Sequence, residues 1–251
     1  MKRAIVIGAS SGIGRALAFE LARDGYSVGL AGRRIELLEE IRKELPAPSC
    51  ARWMDIINIE EAESVLDEMI AELGGMDLIV ISSGVDCDNP RLEPDRLRWA
   101  VGTNVMGFAA IANAAYRYFE KQKAGHICGI SSVAALRGSG AFPAYNATKA
   151  FVSNYMEGLS LRATAAGLNI GVTDIRPGFV DTPMTKGQPG MFWLATPEKV
   201  AHQILSAVRR GRRVAYVPPR WDILARIIHA MPYRIYASIS KEGGKETWKT
   251  D

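Results

Sequence analysis

Short apolar runs rich in β-branched residues alternate along the chain with longer stretches whose apolar positions recur every three to four residues. The first run, Ala4-Ile5-Val6-Ile7, precedes a helical pattern over residues 12–23. Further strand-like runs lie at 27–31, 51–54, 77–81, 127–130, 170–175 and 214–217. Helical patterns fall at 35–45, 59–73, 92–122, 144–165 and 196–209. Strands alternating with helices of this length imply βαβ crossovers. The expected fold is α/β, a doubly wound parallel sheet of about seven strands with helices on both faces.

No repeat or low-complexity linker interrupts this pattern, so one domain over residues 1–251 is expected. The Pro/Gly-rich stretch at about 183–196 follows a strand and reads as a substrate loop. In the segment at about 220–240, Trp221, Ile223, Leu224, Ile227, Ile228 and Met231 fall near helical spacing, with Arg226, Arg234 and Lys241 adding charge. Packing over the substrate loop or on a neighbouring subunit is the favoured reading, and a membrane-surface helix the other. Residues 242–251 are polar and expected to fray.

Composition narrows the function classes. At 251 residues, 48% hydrophobic and 23% charged, the chain is ordinary globular material. A net charge of +4 permits a local anionic ligand site without demanding nucleic acid. The basic run Arg209-Arg210-Gly211-Arg212-Arg213 suits a helix C-terminus, where cations complement the dipole. Cys50, Cys87 and Cys128, like His126, His202 and His229, are scattered, which argues against a metal centre or a disulfide framework. Reduced thiols point to the cytoplasm. The apolar run near the N-terminus is only about four residues, too short for a signal peptide, and no run of about 18 suggests a membrane span.

The turn after the first strand is Gly8-Ala9-Ser10-Ser11-Gly12-Ile13-Gly14. Its spacing is GxxxGxG. Gly8 permits a sharp turn, Gly12 lets backbone approach a pyrophosphate, and Gly14 allows close helix–strand contact. The helix that opens here offers free N–H groups and a positive dipole end to phosphates, so the turn reads as a dinucleotide site. NAD-preferring sites usually carry a carboxylate at the end of the second strand. Here the strand ends Gly32-Arg33-Arg34, two guanidinium groups suited to a 2′-phosphate, with Arg33 placed ahead of Arg34.

Tyr145-Asn146-Ala147-Thr148-Lys149 opens a helical stretch, and residues four apart share a helix face. The phenol and the ammonium can therefore meet at one site. Ser132 ends the fifth strand, at the sheet edge where open α/β sheets bind ligands. Its spacing to Tyr145 selects it over Ser131.

Taken together, Gly8-x-x-x-Gly12-x-Gly14, Asp55, Asn104, Ser132, Tyr145-x-x-x-Lys149 and Pro177-Gly178 resemble the short-chain dehydrogenase/reductase family in its single-domain form, from Ala4 to about Pro218. The resemblance implies a Rossmann-like sheet and interconversion of alcohols and carbonyls, with NADP(H) preferred and NAD(H) the alternative. It implies that Tyr145 is the general acid in reduction, its pKa lowered by Lys149 and by the nicotinamide charge. Ser132 would hold the substrate oxygen, Lys149 the nicotinamide ribose, and Asn104 a water leading to solvent. Asp55 and Ile56 would bind adenine. Pro177, Gly178, Val180 and Thr182 would hold the nicotinamide, and Ser10, Ser11 and Ile13 would complete the phosphate turn.

The family's Asn-Asn-Ala-Gly turn after the fourth strand is replaced here by Ser82-Ser83-Gly84, which keeps the glycine and loses the amides. The substrate pocket is expected from residues 85–89, 136–142 and 184–194, including Leu136, Phe142, Met184, Met191, Phe192 and Trp193, which favours an apolar or bulky compound. Some of these side chains would instead pack into the lid. A homodimer or homotetramer is implied, paired through the helices near Asn104 and Tyr145. Sugar-nucleotide epimerases share the glycine turn and the Tyr–Lys pair but need a larger substrate domain. A non-catalytic dinucleotide sensor would not need all of Ser132, Tyr145 and Lys149.

Overall fold

A computed structural model describes the chain except residues 88, 90, 187–190 and 245–251 and the side chains of 240–244. Strands β1 (Lys2–Ile7), β2 (Tyr26–Gly32), β3 (Ser49–Trp53), β4 (Leu78–Ile81), β5 (Ala124–Ile130), β6 (Asn169–Pro177) and β7 (Val214–Val217) form one sheet. Their order is β3-β2-β1-β4-β5-β6-β7, and every pairing is parallel. The order reverses between β1 and β4, where a crevice opens beyond the strand ends.

Helices α1 (Gly12–Arg23), α2 (Ile35–Glu44), α3 (Ile59–Leu73), α4 (Pro94–Val101), α5 (Phe108–Gln122), α6 (Pro143–Ala165) and α7 (Pro197–Arg209) make the crossovers. Side chains alternate across β1. Ala4 and Val6 join a core with Leu17, Leu21, Val200 and Ile204 of α1 and α7. Ile5 and Ile7 join the other, with Leu66, Met69, Phe108 and Val152 of α3, α5 and α6. The chain ends in α8 (Trp221–Ala230) and α9 (Tyr233–Gly244), separated at Met231 and Pro232. The fraying expected of 242–251 does not begin at 242, since α9 runs to Gly244, and 245–251 lie outside the described residues.

The expected helix over 92–122 is not continuous. It divides into α4, a π-helical turn over Gly102–Gly107, and α5. A Cβ on Gly107 would stand 2.5 Å from the Ile56 carbonyl oxygen, so backbone meets backbone there. The wide turn also carries Asn104 to Val85. One extra residue in a turn barely disturbs apolar periodicity, which is why the pattern reads as one helix.

Strands β5 and β6 are locked by His126, whose Nε2 lies 2.8 Å from Thr173 Oγ1. The Thr173 hydroxyl spends its hydrogen on the Arg212 carbonyl at 2.6 Å, so Nε2–H donates to Thr173 and the ring is neutral. Burial pushes the His126 pKa down from 6.5 to about 4. The unfolded chain therefore takes up a proton near pH 6.5, while the folded protein resists until about pH 4. Stability should be intact above pH 6.5 and fall by roughly 2–3 kcal/mol on approaching pH 4. Urea unfolding at pH 7 and 4.5 measures this, and His126→Gln should flatten the decline relative to the parent.

Candidate active site

The carboxyl ends of β1 to β6 converge on a cavity of about 300 Å3. Gly8, Ser10, Ser11, Gly12, Ile13, Arg33, Arg34, Asp55, Ile56, Ser83 and Gly84 line it, as do Ser132, Tyr145, Lys149, Pro177, Gly178, Val180 and Thr182. Residues nominated from seven separate segments of sequence thus meet at one place. Gly14 and Asn104 stand behind that lining.

The glycine turn is shaped by close approach. Gly8 has φ of +85°, and a Cβ there would lie 2.6 Å from the Ser83 nitrogen. A Cβ on Gly14 would lie 2.2 Å from the Gly8 carbonyl oxygen, so α1 could not start this near β1 with any other residue. Arg34 reaches over the turn. Its guanidinium donates to Ser10 Oγ at 2.8 Å and Ser11 Oγ at 2.6 Å. Both hydroxyls accept from arginine and keep their hydrogens for another acceptor. Arg33 is exposed on the same rim. Of the two arginines it is Arg34 that is fixed against the turn.

At the far end, Ser132 in extended backbone accepts from Ala134 N at 3.0 Å and is hydrogen-bonded to the Tyr145 phenol. Ser131 points away, bonded to buried Asp174 and to the Ile175 carbonyl, so its hydroxyl is spent in the sheet. Lys149 is buried and donates to the Ile130 carbonyl at 3.0 Å, with its ammonium 5.8 Å from the Tyr145 ring centroid. Burial pushes the Lys149 pKa down to about 8, against the pull of the Asp174 carboxylate. Burial pushes the Tyr145 phenol up to about 12, with the Asp86 carboxylate adding to that and the Ser132 bond opposing it.

In the protein alone, then, Lys149 does not bring the phenol below its ordinary value, and the expected lowering would need the nicotinamide charge as well. The ammonium turns its hydrogen toward Ile130 and faces the ring, while desolvation acts on the phenol oxygen without such a partner.

Asn104 is 1% exposed, and its amide is fully used. Oδ1 accepts from Val85 N at 2.8 Å, and Nδ2 donates to Val85 O at 2.9 Å and Thr148 Oγ1 at 3.1 Å. The side chain clamps the β4 end to α6. Asp55 Oδ1 likewise accepts from Ile57 N at 3.2 Å. In the turn that replaces the family's asparagines, Ser83 Oγ is buried with no protein partner.

Of the expected substrate pocket, Val85 and Met184 line the cavity. Leu136, Phe142 and Met191 are not among its lining residues, and residues 88 and 187–190 lie outside the described ones. Phe192 stacks on Trp221 with centroids 5.2 Å apart, and Phe179 meets the same indole at 5.5 Å. The loop is pinned at its base by Ala195 N donating to Phe179 O at 3.0 Å. A Cβ on Gly178 would collide with the Trp221 ring, so glycine lets α8 close over the loop. Arg137 adds a bond to the Met231 carbonyl at 2.8 Å, and Tyr236 one to the Gly138 carbonyl at 2.7 Å. The C-terminal helices thus pack over the substrate loop, one of the two favoured readings.

The short chain dehydrogenase family model matches residues 2–190. The chain belongs to the short-chain dehydrogenase family. It is 35% identical over 247 residues to an uncharacterized oxidoreductase of Myxococcus xanthus, covering 96% of each chain. It is 34% identical over 188 residues to one of Staphylococcus epidermidis, covering 74% of this chain and 81% of that one. A short-chain dehydrogenase/reductase from Burkholderia phymatum, solved with NAD, superposes with a TM-score of 0.84 at 24% identity, over 91% and 92% of the two chains. A short-chain dehydrogenase from Sphingobium yanoikuyae, solved with NADPH, gives 0.77 at 22%, over 89% and 92%. These structural likenesses show the fold.

The family motifs carry no sign of one group in the site. Asp174 is 2% exposed in the middle of β6 and bonds Ser131, Ser153 and Arg176. An aspartate inside an apolar strand, with an arginine two residues on and so on the same face, is the signal that could have found it.

Proposed function

We propose that the protein is an NADPH-dependent oxidoreductase that interconverts a carbonyl and a secondary alcohol on an apolar or bulky small molecule. The observation that carries this is the Ser132–Tyr145 hydrogen bond beside buried Lys149, in the same cavity as the glycine turn crossed by Arg34. Two features fit a dinucleotide: the side-chain-free cradle at Gly8 and Gly12, and the partnerless Ser83 hydroxyl. Structural neighbours solved with NAD and with NADPH support the class of cofactor. In this reading the whole chain is one NAD(P)-binding domain, with the loop at 183–196 and the segment at 220–240 forming the substrate side. Among the described residues no helix is long and apolar enough to cross a membrane, and three buried cysteines agree with a cytoplasmic setting.

A nicotinamide dinucleotide bound here supplies or takes the hydride. Gly8, Ser10, Ser11, Gly12, Ile13 and the α1 N-terminus would hold its phosphates, Asp55 and Ile56 its adenine. Ser83, Gly84, Pro177, Gly178, Val180 and Thr182 would hold its nicotinamide half. Tyr145, protonated at neutral pH, gives its proton to the carbonyl oxygen in reduction. Ser132 donates a hydrogen bond to the same oxygen. Lys149 holds ribose hydroxyls, and Asn104 keeps Val85 and Thr148 fixed around it.

Tyr145→Phe should fold, bind NADPH and lose turnover by about 10²–10⁴-fold. Turnover within twofold of the parent, in a screen of ketones, aldehydes and lipid-derived carbonyls, would remove Tyr145 from the acid role.

Preference for NADPH over NADH should be at least about tenfold in kcat/KM and should act through KM, because the 2′-phosphate lies far from the reacting carbon. A Cβ at Gly32 would meet nothing closer than 3.9 Å, so Gly32→Asp fits the site. Combined with Arg33→Ser it should reverse the preference, and Arg34→Ser should weaken NADPH binding alone. Equal use of both cofactors by the parent contradicts the arginine assignment.

We also propose a homodimer or homotetramer built on α5 and α6, where Ala109, Ala114, Phe151 and Tyr155 remain only partly buried. A monomeric mass by light scattering at micromolar concentration contradicts it.

A further inference from the structure

We propose that Asp174 is a positioning residue of the active site: its single buried carboxylate joins three catalytic segments and sets a negative charge between Ser131, beside the carbonyl that Lys149 bonds, and Ser153, one helical turn from Lys149. The proposal rests on the reading of Lys149 as catalytic.

The geometry is specific. Oδ1 accepts from Ser131, the neighbour of Ser132 at the end of β5. Oδ2 accepts from Ser153 at 2.8 Å and from Arg176 Nε at 2.7 Å. Ser153 lies four residues after Lys149, on the same face of α6. Arg176 immediately precedes Pro177-Gly178, and its guanidinium also donates to the Tyr216 hydroxyl of β7 at 3.0 Å. One carboxylate therefore ties the Ser132 strand end, the Tyr145–Lys149 helix and the nicotinamide-side strand end. A merely structural position in this strand would be filled more cheaply by an apolar residue, since burying an ion pair is often no better than apolar packing.

The groups facing Lys149 are few. The Asp174 carboxylate comes from β6, with Arg176 bonded to it. The Ile130 carbonyl comes from β5, the Gly84 backbone from the turn after β4, and the Tyr145 ring from its own helix. Asp86 acts on Tyr145. Burial favours neutral Lys149, and the charge that opposes it is Asp174.

The experiment follows Lys149 by NMR in the whole protein without added dinucleotide, its side-chain signal assigned by its loss in Lys149→Arg. Asp174→Asn keeps the shape and removes the charge. The Lys149 midpoint should fall by about one pH unit. Ser153→Ala removes one tie and no charge, so it should lower kcat and leave the midpoint in place. Should Asp174→Asn fail to fold, Arg176→Gln reads the same effect with opposite sign, since Asp174 then loses its competing cation and the midpoint should rise. An unmoved midpoint in whichever of these two variants folds overturns the proposal. In turnover, the alkaline limb of the reduction profile should move with the midpoint. A midpoint that shifts in a protein with no NAD(P)H-dependent turnover would overturn the function reading and leave the charge assignment of Asp174 standing.

Discussion

A sheet whose seven strands all run the same way must send the chain back across a face after each strand, and both faces are then buried. That constraint makes the rest of the molecule follow. All strands end at one rim, so every strand-to-helix turn is delivered to the same side. The strand order reverses between β1 and β4, which parts the turns and leaves the crevice. Gly8 and Ser83 meet across that parting at a distance only a residue without a side chain allows. The site is therefore a product of topology, and the chemistry is the choice of residues at six strand ends.

What could be read from the chain follows from how local each signal is. The seven strands and the crossover helices have runs of apolar residues long enough to show their period. The glycine turn and the Tyr145–Lys149 pair are also legible, because each depends on spacing within one turn or one helix. The π turn at Gly102–Gly107 was not, since it packs on the Ile56 backbone, 51 residues before Gly107 in the chain. The relative placement of Arg33 and Arg34 was not legible either. It depends on where the Ser10 and Ser11 hydroxyls stand, and those belong to another strand's turn. Asp174 was missed because its partners come from β5, α6 and its own strand.

The two ends of the crevice solve opposite electrostatic problems. At the glycine turn the guanidinium of Arg34 is exposed, held by neutral hydroxyls, and open to an anion at little desolvation cost. Near Tyr145 the amine of Lys149 is buried, and the charge that opposes its desolvation is a carboxylate itself shared with Arg176. In the proposed function the first arrangement serves affinity. The second keeps a charge where water cannot follow it, which is where an electrostatic interaction is strongest.

With the phenol at about 12 and the ammonium at about 8, the protein's own groups leave the proton on Tyr145 throughout the neutral range. In the proposed reduction the phenol therefore starts protonated, as a donor must, but as a weak acid. Alcohol oxidation starts from the phenolate, which at neutral pH lies roughly five pH units from the value set by the protein alone. Positive charge close to the phenol oxygen is needed to close that gap, and the Lys149 ammonium, turned to the Ile130 carbonyl, does not close it alone. Above about pH 8 the oxidative direction gains from a scarcer proton and loses the Lys149 charge at the same time. In the role proposed for Asp174, its carboxylate sets how far up the pH scale that charge survives.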